Sequence, residues 1–284
     1  MIRLNVKPEV VDIHVTAVMN CIRSRYVDTE SDILKEVKKL GVDSIEKFLK
    51  AKPADIKRWV INEPDKLGFT YFKEIYSKYF CNGADKFVDG DYNAYTFLAL
   101  LDVDVCPYCE DEYLDTVEIG GKRKRTSEID HFFPKSKYPA LSMCVYNLVP
   151  SGQNCNGLKL ENVIGANPHE CDIEEKTFLY PDLPVGIAME SVSPQDCAIK
   201  FHATNGMEQN VDKLALEQRY ERHTNEAYRL LKNAQLYNEV KIDEMVRLGF
   251  GTREEIISSI FGPQDPEKKK HELRQKMLRD LTGY

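Results

Sequence analysis

About fifty residues in the middle of this chain hold a density of reactive groups that no other stretch approaches: Cys106-Pro-Tyr-Cys109, Glu128-Ile-Asp130-His131, Asn147-Leu148 and Cys155-Asn156-Gly-Leu-Lys159, in that order. This order constrains the fold before anything else does. Thiols at knuckle spacing are suited to stapling a small unit. The Asp130 carboxylate and the Asn156 amide oxygen are hard ligands of the kind Mg²⁺ or Mn²⁺ takes, with waters filling the other positions. His131 carries the side chain whose unperturbed pKa, about 6.5, suits it to removing a proton from water. An Asp-His dipeptide alone means little; here it stands between a CxxC and a Cys-Asn.

At 284 residues the chain can form one large domain or two to three small ones. With 42% hydrophobic and 30% charged residues, its composition is that of an ordinary soluble protein. No apolar run approaches the roughly 20 residues that span a bilayer. The N-terminal Met-Ile-Arg-Leu-Asn-Val-Lys-Pro-Glu lacks a signal peptide's apolar segment. The expectation is a cytoplasmic protein with no membrane partner. Eight scattered cysteines with one close pair then favour free or metal-bound thiols over disulfides. A net charge of −7 argues against coating nucleic acid by bulk attraction. Yet Ile119 to Leu160 holds Lys122, Arg123, Lys124, Arg125, Lys135, Lys137 and Lys159 against only Glu128 and Asp130. A local basic face can neutralise phosphates while the rest of the molecule repels them. For Lys122–Arg125 a solvated hairpin tip is the competing reading.

The fold class expected is α+β, mainly helical, with a small central β-containing module. Residues 1–104 read as a helical region. Asp28 to Leu40 has helical apolar spacing and stops at Gly41, a further helix follows Asp43, and Tyr71–Phe80 is aromatic-rich. Asp91 is a candidate cap for a helix through Tyr92, Tyr95, Leu98 and Leu100. Its aromatics are expected to be core rather than a platform for bases. The central module covers 105–165. There Tyr113–Ile119, a Gly120-Gly121 turn and Thr126–Phe133 predict a hairpin, ended by Pro134 and followed by a short helix over 156–161. The region 166–284 predicts strands at 187–192 and 197–203, a long helical tract from Leu214, a helix over Arg253–Phe261 and an amphipathic tail. Neighbouring residues of a regular strand point to opposite faces, so Asp130 and His131 can serve one centre only at a strand end or bulge.

The pattern resembles the HNH, or ββα-metal, endonuclease family over about Cys106–Leu160. What the resemblance implies is a metal-dependent phosphodiester hydrolase. His131 activates water and Asp130 and Asn156 hold Mg²⁺ or Mn²⁺. Asn147 completes the catalytic set by pinning the loop that orients the histidine. Lys159 and Lys135 would contact phosphate, although Lys159 reads equally well as a solvated helix residue. Glu128 shares the Asp130 face by period two and is an outer-sphere candidate or a plain surface carboxylate. Cys-Pro-Tyr-Cys, Glu-Ile-Asp-His-Phe-Phe-Pro-Lys-Ser-Lys-Tyr-Pro and Tyr-Asn-Leu-Val-Pro-Ser are similar to bacterial anti-phage nucleases of the Septu nuclease-subunit type, which partner an ATPase. DNA is the expected substrate. An RNA-cutting effector with the same centre is an alternative, because the recognised element is mainly backbone phosphate. A ββα module that docks nucleic acid without cutting is the other; intact Asp130, His131 and Asn156 argue against it.

One position departs from the family. The second knuckle reads Ser151-Gly152-Gln-Asn-Cys155, with Gly152 where a cysteine is expected. A structural Zn²⁺ takes four ligands, and only Cys106, Cys109 and Cys155 are in register. Cys144, His169 or Cys171 could supply the fourth, or the unit holds together without zinc.

Overall fold

The computed structural model describes residues 2–81, 92–170, 172–263 and 270–284. The fold is mixed α and β, mainly helical, with three two-stranded antiparallel sheets among the described residues. The first long helix, α1 (Pro8–Arg25), begins at a proline, whose missing N–H costs nothing there. It buries Val11, Val15, Val18 and Ile22 along one side. Then come α2 (Glu30–Lys38), α3 (Ile45–Leu49) and α4 (Pro53–Asn62). The α3 cap is Ser44, whose hydroxyl accepts from Lys47 N–H. Helix α5 (Tyr71–Ile75) runs on as a wider π turn to Cys81. The proposed Asp91 cap lies outside the described residues, and α6 (Ala94–Leu101) is capped by the Asn93 side chain. The aromatics are core, as their burial requires: Phe48 stacks between Trp59 and Phe72, and Phe80 and Phe97 are fully buried.

The middle of the chain differs from the single hairpin expected. Strand β1 (Thr116–Ile119) turns at Gly120-Gly121, both at positive φ, and pairs with β2 (Lys122–Arg125), not with Thr126–Phe133. Four residues per arm exhaust this ribbon. Strand β3 (Glu128–His131) pairs instead with β4 (Leu148–Ser151), with Asp130 opposite Val149 and His131 opposite Leu148. Helix α7 (Gln153–Lys159) follows β4 directly and packs against β3. A ββα unit therefore exists, but its second strand begins seventeen residues after the first ends.

Strand β5 (Thr177–Pro181) pairs with β6 (Ile199–Ala203). The expected strand at 187–192 is absent: Met189–Ser191 forms one turn of 3₁₀ helix, and the β6 partner lies earlier in the chain. The helices α8 (Met207–Lys213), α9 (Leu216–Tyr220), α10 (Thr224–Leu236), α11 (Glu239–Arg247), α12 (Arg253–Phe261) and α13 (Gln275–Thr282) complete the chain. One apolar core unites Val18, Ile22 and Phe97 of the N-terminal helices with Tyr108, Ile129, Leu148 and Cys155 of the central unit. No helix among the described residues is long and apolar enough to cross a membrane.

Candidate active site

Strand β3 ends at His131, so the alternation of a regular strand lapses where Asp130 and His131 must share a centre. Both are buried, and both line one cleft of about 340 Å³ with Glu128, Lys135 and Asn156. Asp130 is fixed from two sides. Its Oδ2 accepts the Tyr108 hydroxyl at 2.7 Å, and its Oδ1 accepts Lys159 Nζ at 3.0 Å. Burial, reinforced by the neighbouring Asp130 charge, raises the Tyr108 pKa well above its ordinary value, so the phenol remains a donor.

The His131 ring is oriented by its Nε2, which lies 3.1 Å from the Ser142 carbonyl. A carbonyl only accepts, so Nε2 carries the hydrogen and Nδ1 keeps its lone pair. No hydrogen bond reaches Nδ1 among the described residues. Tyr76 meets the ring edge-on at a centroid distance of 4.5 Å, and Lys135 Nζ sits 4.4 Å from the centre of the same tyrosine ring. Burial, assisted by the Lys135 and Lys159 charges, lowers the His131 pKa from 6.5 to about 3. An unperturbed imidazole would become a competent base through about pH 6–7; this one is neutral well below that range.

Asn147 is fully buried and bonds entirely to the loop after β3. Its Oδ1 accepts Phe133 N–H at 2.8 Å, and its Nδ2 donates to the Phe133 and Leu141 carbonyls at 3.1 Å each. The chain from Phe133 to Leu141 is thereby tied down directly before Ser142, the residue that holds the His131 ring. Asn156 is half-buried at the cleft, with no side-chain hydrogen bond among the described residues.

Lys159 departs from its expected place. It is neither at the phosphate nor in solvent, but fully buried, donating to Asp130 Oδ1 and, at 2.8 Å, to the His131 carbonyl. The cause is helical spacing: Lys159 lies four residues beyond Cys155, on the inward face of α7, and Asn156 is turned toward the rim. Lys135 does stand at the cleft. Burial lowers its pKa, and among the described residues its ammonium has no carboxylate partner. In the basic ribbon, Lys124 is exposed, whereas Arg125 lies over the Tyr95 ring at 5.4 Å and donates to Cys81. Sequence reasoning missed Tyr108, Tyr76 and Ser142. Only Tyr108 carried a signal, its place inside the CxxC.

The Cys106, Cys109 and Cys155 sulfurs lie within 4.8 Å of one another and are all buried. Three buried sulfurs this close together could bind a metal ion. Burial disfavours a Cys106 thiolate, but bonds from the Cys109 and Cys155 thiols and from the Gly152 and Tyr108 backbone outweigh it and hold its pKa well below the usual value. Cys144 is not the fourth member, since its Sγ faces the Phe48 carbonyl at 3.5 Å inside the core. Nor is His169, whose ring nitrogens are not among the ligand atoms gathered within 4.8 Å around the trio. Cys171 lies outside the described residues. Comparison with family models, with curated proteins and with solved structures gives no match.

Proposed function

We propose that the chain is a metal-dependent HNH endonuclease that hydrolyses phosphodiester bonds in DNA. One observation carries this reading: Asp130, His131 and Asn156, from two adjoining elements, line a single cleft, with the histidine tautomer set by Ser142. The residues divide the work. His131 Nδ1 takes the proton from the attacking water. Asp130 and Asn156 hold a Mg²⁺ or Mn²⁺ ion, with Glu128 beside them on the same strand. When bound, such a cation polarises the phosphoryl oxygen and stabilises the departing 3′-oxygen. Lys135 draws the phosphate toward the cleft. Lys159 is a positioning residue, which orients Asp130 and ties the end of β3 to α7. Asn147 positions the histidine through its loop. The cysteine trio holds a structural Zn²⁺ that fixes the start of α7, and with it Asn156. Bacterial anti-phage defence beside an ATPase is the proposed setting, and its support is the sequence resemblance to Septu-type nucleases.

The test is His131→Ala on supercoiled plasmid with Mg²⁺, and on RNA in parallel. General-base catalysis contributes about 10²–10⁴-fold, so at least a hundredfold loss of cutting is expected, with plasmid binding retained. Undiminished cutting by the alanine variant would refute the role of His131. Cutting of RNA alone would replace DNA as substrate.

A further inference from the structure

Helix α5 passes into a π turn over Tyr76–Cys81. A π turn stacks a residue over the one five positions on, and such turns are frequent at functional sites. Here the stacked pair is Tyr76 and Cys81. The Tyr76 hydroxyl hydrogen-bonds to Cys81, and Cys81 Sγ accepts Arg125 Nη2 at 3.7 Å, which ties that end of the tyrosine to β2. The residue is 2% exposed and lines the cleft with Asp130 and His131. Its ring meets two groups at once. The His131 ring stands edge-to-face with it at 4.5 Å and 72°, and Lys135 Nζ lies over it at 4.4 Å from the centre. Helix α5 also packs against the turn Pro139–Met143, which carries the Ser142 carbonyl that holds His131 Nε2. One element thus braces both groups that border the histidine.

We propose that Tyr76 is a positioning residue, which holds the His131 ring against the Ser142 carbonyl and seats the Lys135 ammonium at the cleft; its effect on cutting rests on the nuclease reading. An aromatic ring suits both tasks because it attracts without competing. A hydrogen-bonding side chain in its place would engage Nδ1 and occupy the lone pair that takes the proton from water. Edge-to-face contact fixes the imidazole and leaves that lone pair free. A carboxylate beside Lys135 would neutralise it, whereas the negative face of the ring attracts the ammonium and leaves its charge for a phosphate.

Variants of the full chain test this with two readouts: steady-state cutting of supercoiled plasmid in Mg²⁺, and the ¹⁵N spectrum of the His131 ring near neutral pH. Tyr76→Phe keeps the ring and drops the bond to Cys81, so kcat and KM should stay within about threefold of wild type and the Nε2–H tautomer should persist. Tyr76→Leu removes the ring. Misplacing a catalytic group can cost on the order of a hundredfold, so kcat should fall at least about tenfold, and KM should rise about two- to fivefold as Lys135 loses its seat. The His131 nitrogens should then report a mixture of tautomers. Tyr76→Met, whose flexible side chain fills the gap, gives the same comparison if the leucine variant does not fold. A folded non-aromatic variant that keeps the Nε2–H tautomer would overturn the proposal, whether or not its kcat falls. So would a Tyr76→Phe variant as impaired as Tyr76→Leu. If the wild type cuts neither plasmid nor RNA, the nuclease reading fails, and the tautomer comparison alone decides whether Tyr76 holds the ring.

Discussion

Replacing Lys159 with methionine removes one partner of a buried pair and leaves the shape of the other side chain untouched. The Lys159 side chain is 0% exposed and that of Asp130 5%, and Nζ and Oδ1 are 3.0 Å apart. At an effective dielectric near 20 their attraction is about 5.5 kcal/mol. Desolvation of both groups offsets much of that in the intact pair, but removing one partner leaves the other charge buried alone, which costs about 3–5 kcal/mol. The Tyr108 hydroxyl is then the one described donor left on Asp130. Since a domain has only about 5–15 kcal/mol in total, Lys159→Met should move the urea midpoint strongly when measured in chelator. Adding Asp130→Asn removes the stranded charge, so the double variant should be more stable than Lys159→Met alone. That reversal separates electrostatics from packing, because a purely steric loss would add to the second change rather than shrink. A Lys159→Met variant within about 1 kcal/mol of wild type, or a double variant no better than the single, would refute the reasoning.

Two further outcomes are expected. Asn147→Ala strands Phe133 N–H and two carbonyls in the core; at about 1–3 kcal/mol for each unsatisfied group it should cost at least about 3 kcal/mol in denaturant melts and lower cutting through His131, while a Tm within a degree or two of wild type would show that the loop holds without it. The protein should also be acid-labile through His14 and His169, whose pKa values burial lowers to about 4 in each case. The unfolded chain protonates them first, near 6.5, so their contribution is complete above that pH and fades as pH falls toward 4, by about 3 kcal/mol each. Thermal melts across that window should fall steadily, and a Tm unchanged down to about pH 5 would contradict it.

The helices were legible where local chemistry decides them. Arg253–Phe261 forms as its spacing predicts, because Thr252 and Glu255 close a capping box at its start. The β pairing was not. Gly120-Gly121 announces a hairpin correctly, but nothing local says that the returning arm stops at Arg125, or that β3 waits for a partner beyond a long loop. Asn147 provides that distant link, since its side chain fastens the loop and its own carbonyl accepts Phe132 N–H at 2.9 Å beside β4. A strand whose partner is set by a buried polar side chain leaves no periodic trace.

Within the site, residue types and spacing identify which groups are reactive but not which way they face. Lys159 shows the difference. A lysine beyond a cysteine-rich turn suggests a phosphate contact, yet its four-residue offset from the buried Cys155 puts it on the inner face of α7, where only a carboxylate could receive it. Asp130 is that carboxylate, and the requirement runs both ways, because a buried Asp130 needs a cation beside it. Gly152 obeys the same logic. It reads as a lost ligand when the knuckle is viewed as text, whereas in space its missing side chain leaves room for the buried Glu112 carboxylate, which Arg219 pairs. In both cases the deciding constraint is that buried charge must be paired, and the partner comes from an element that local sequence does not connect.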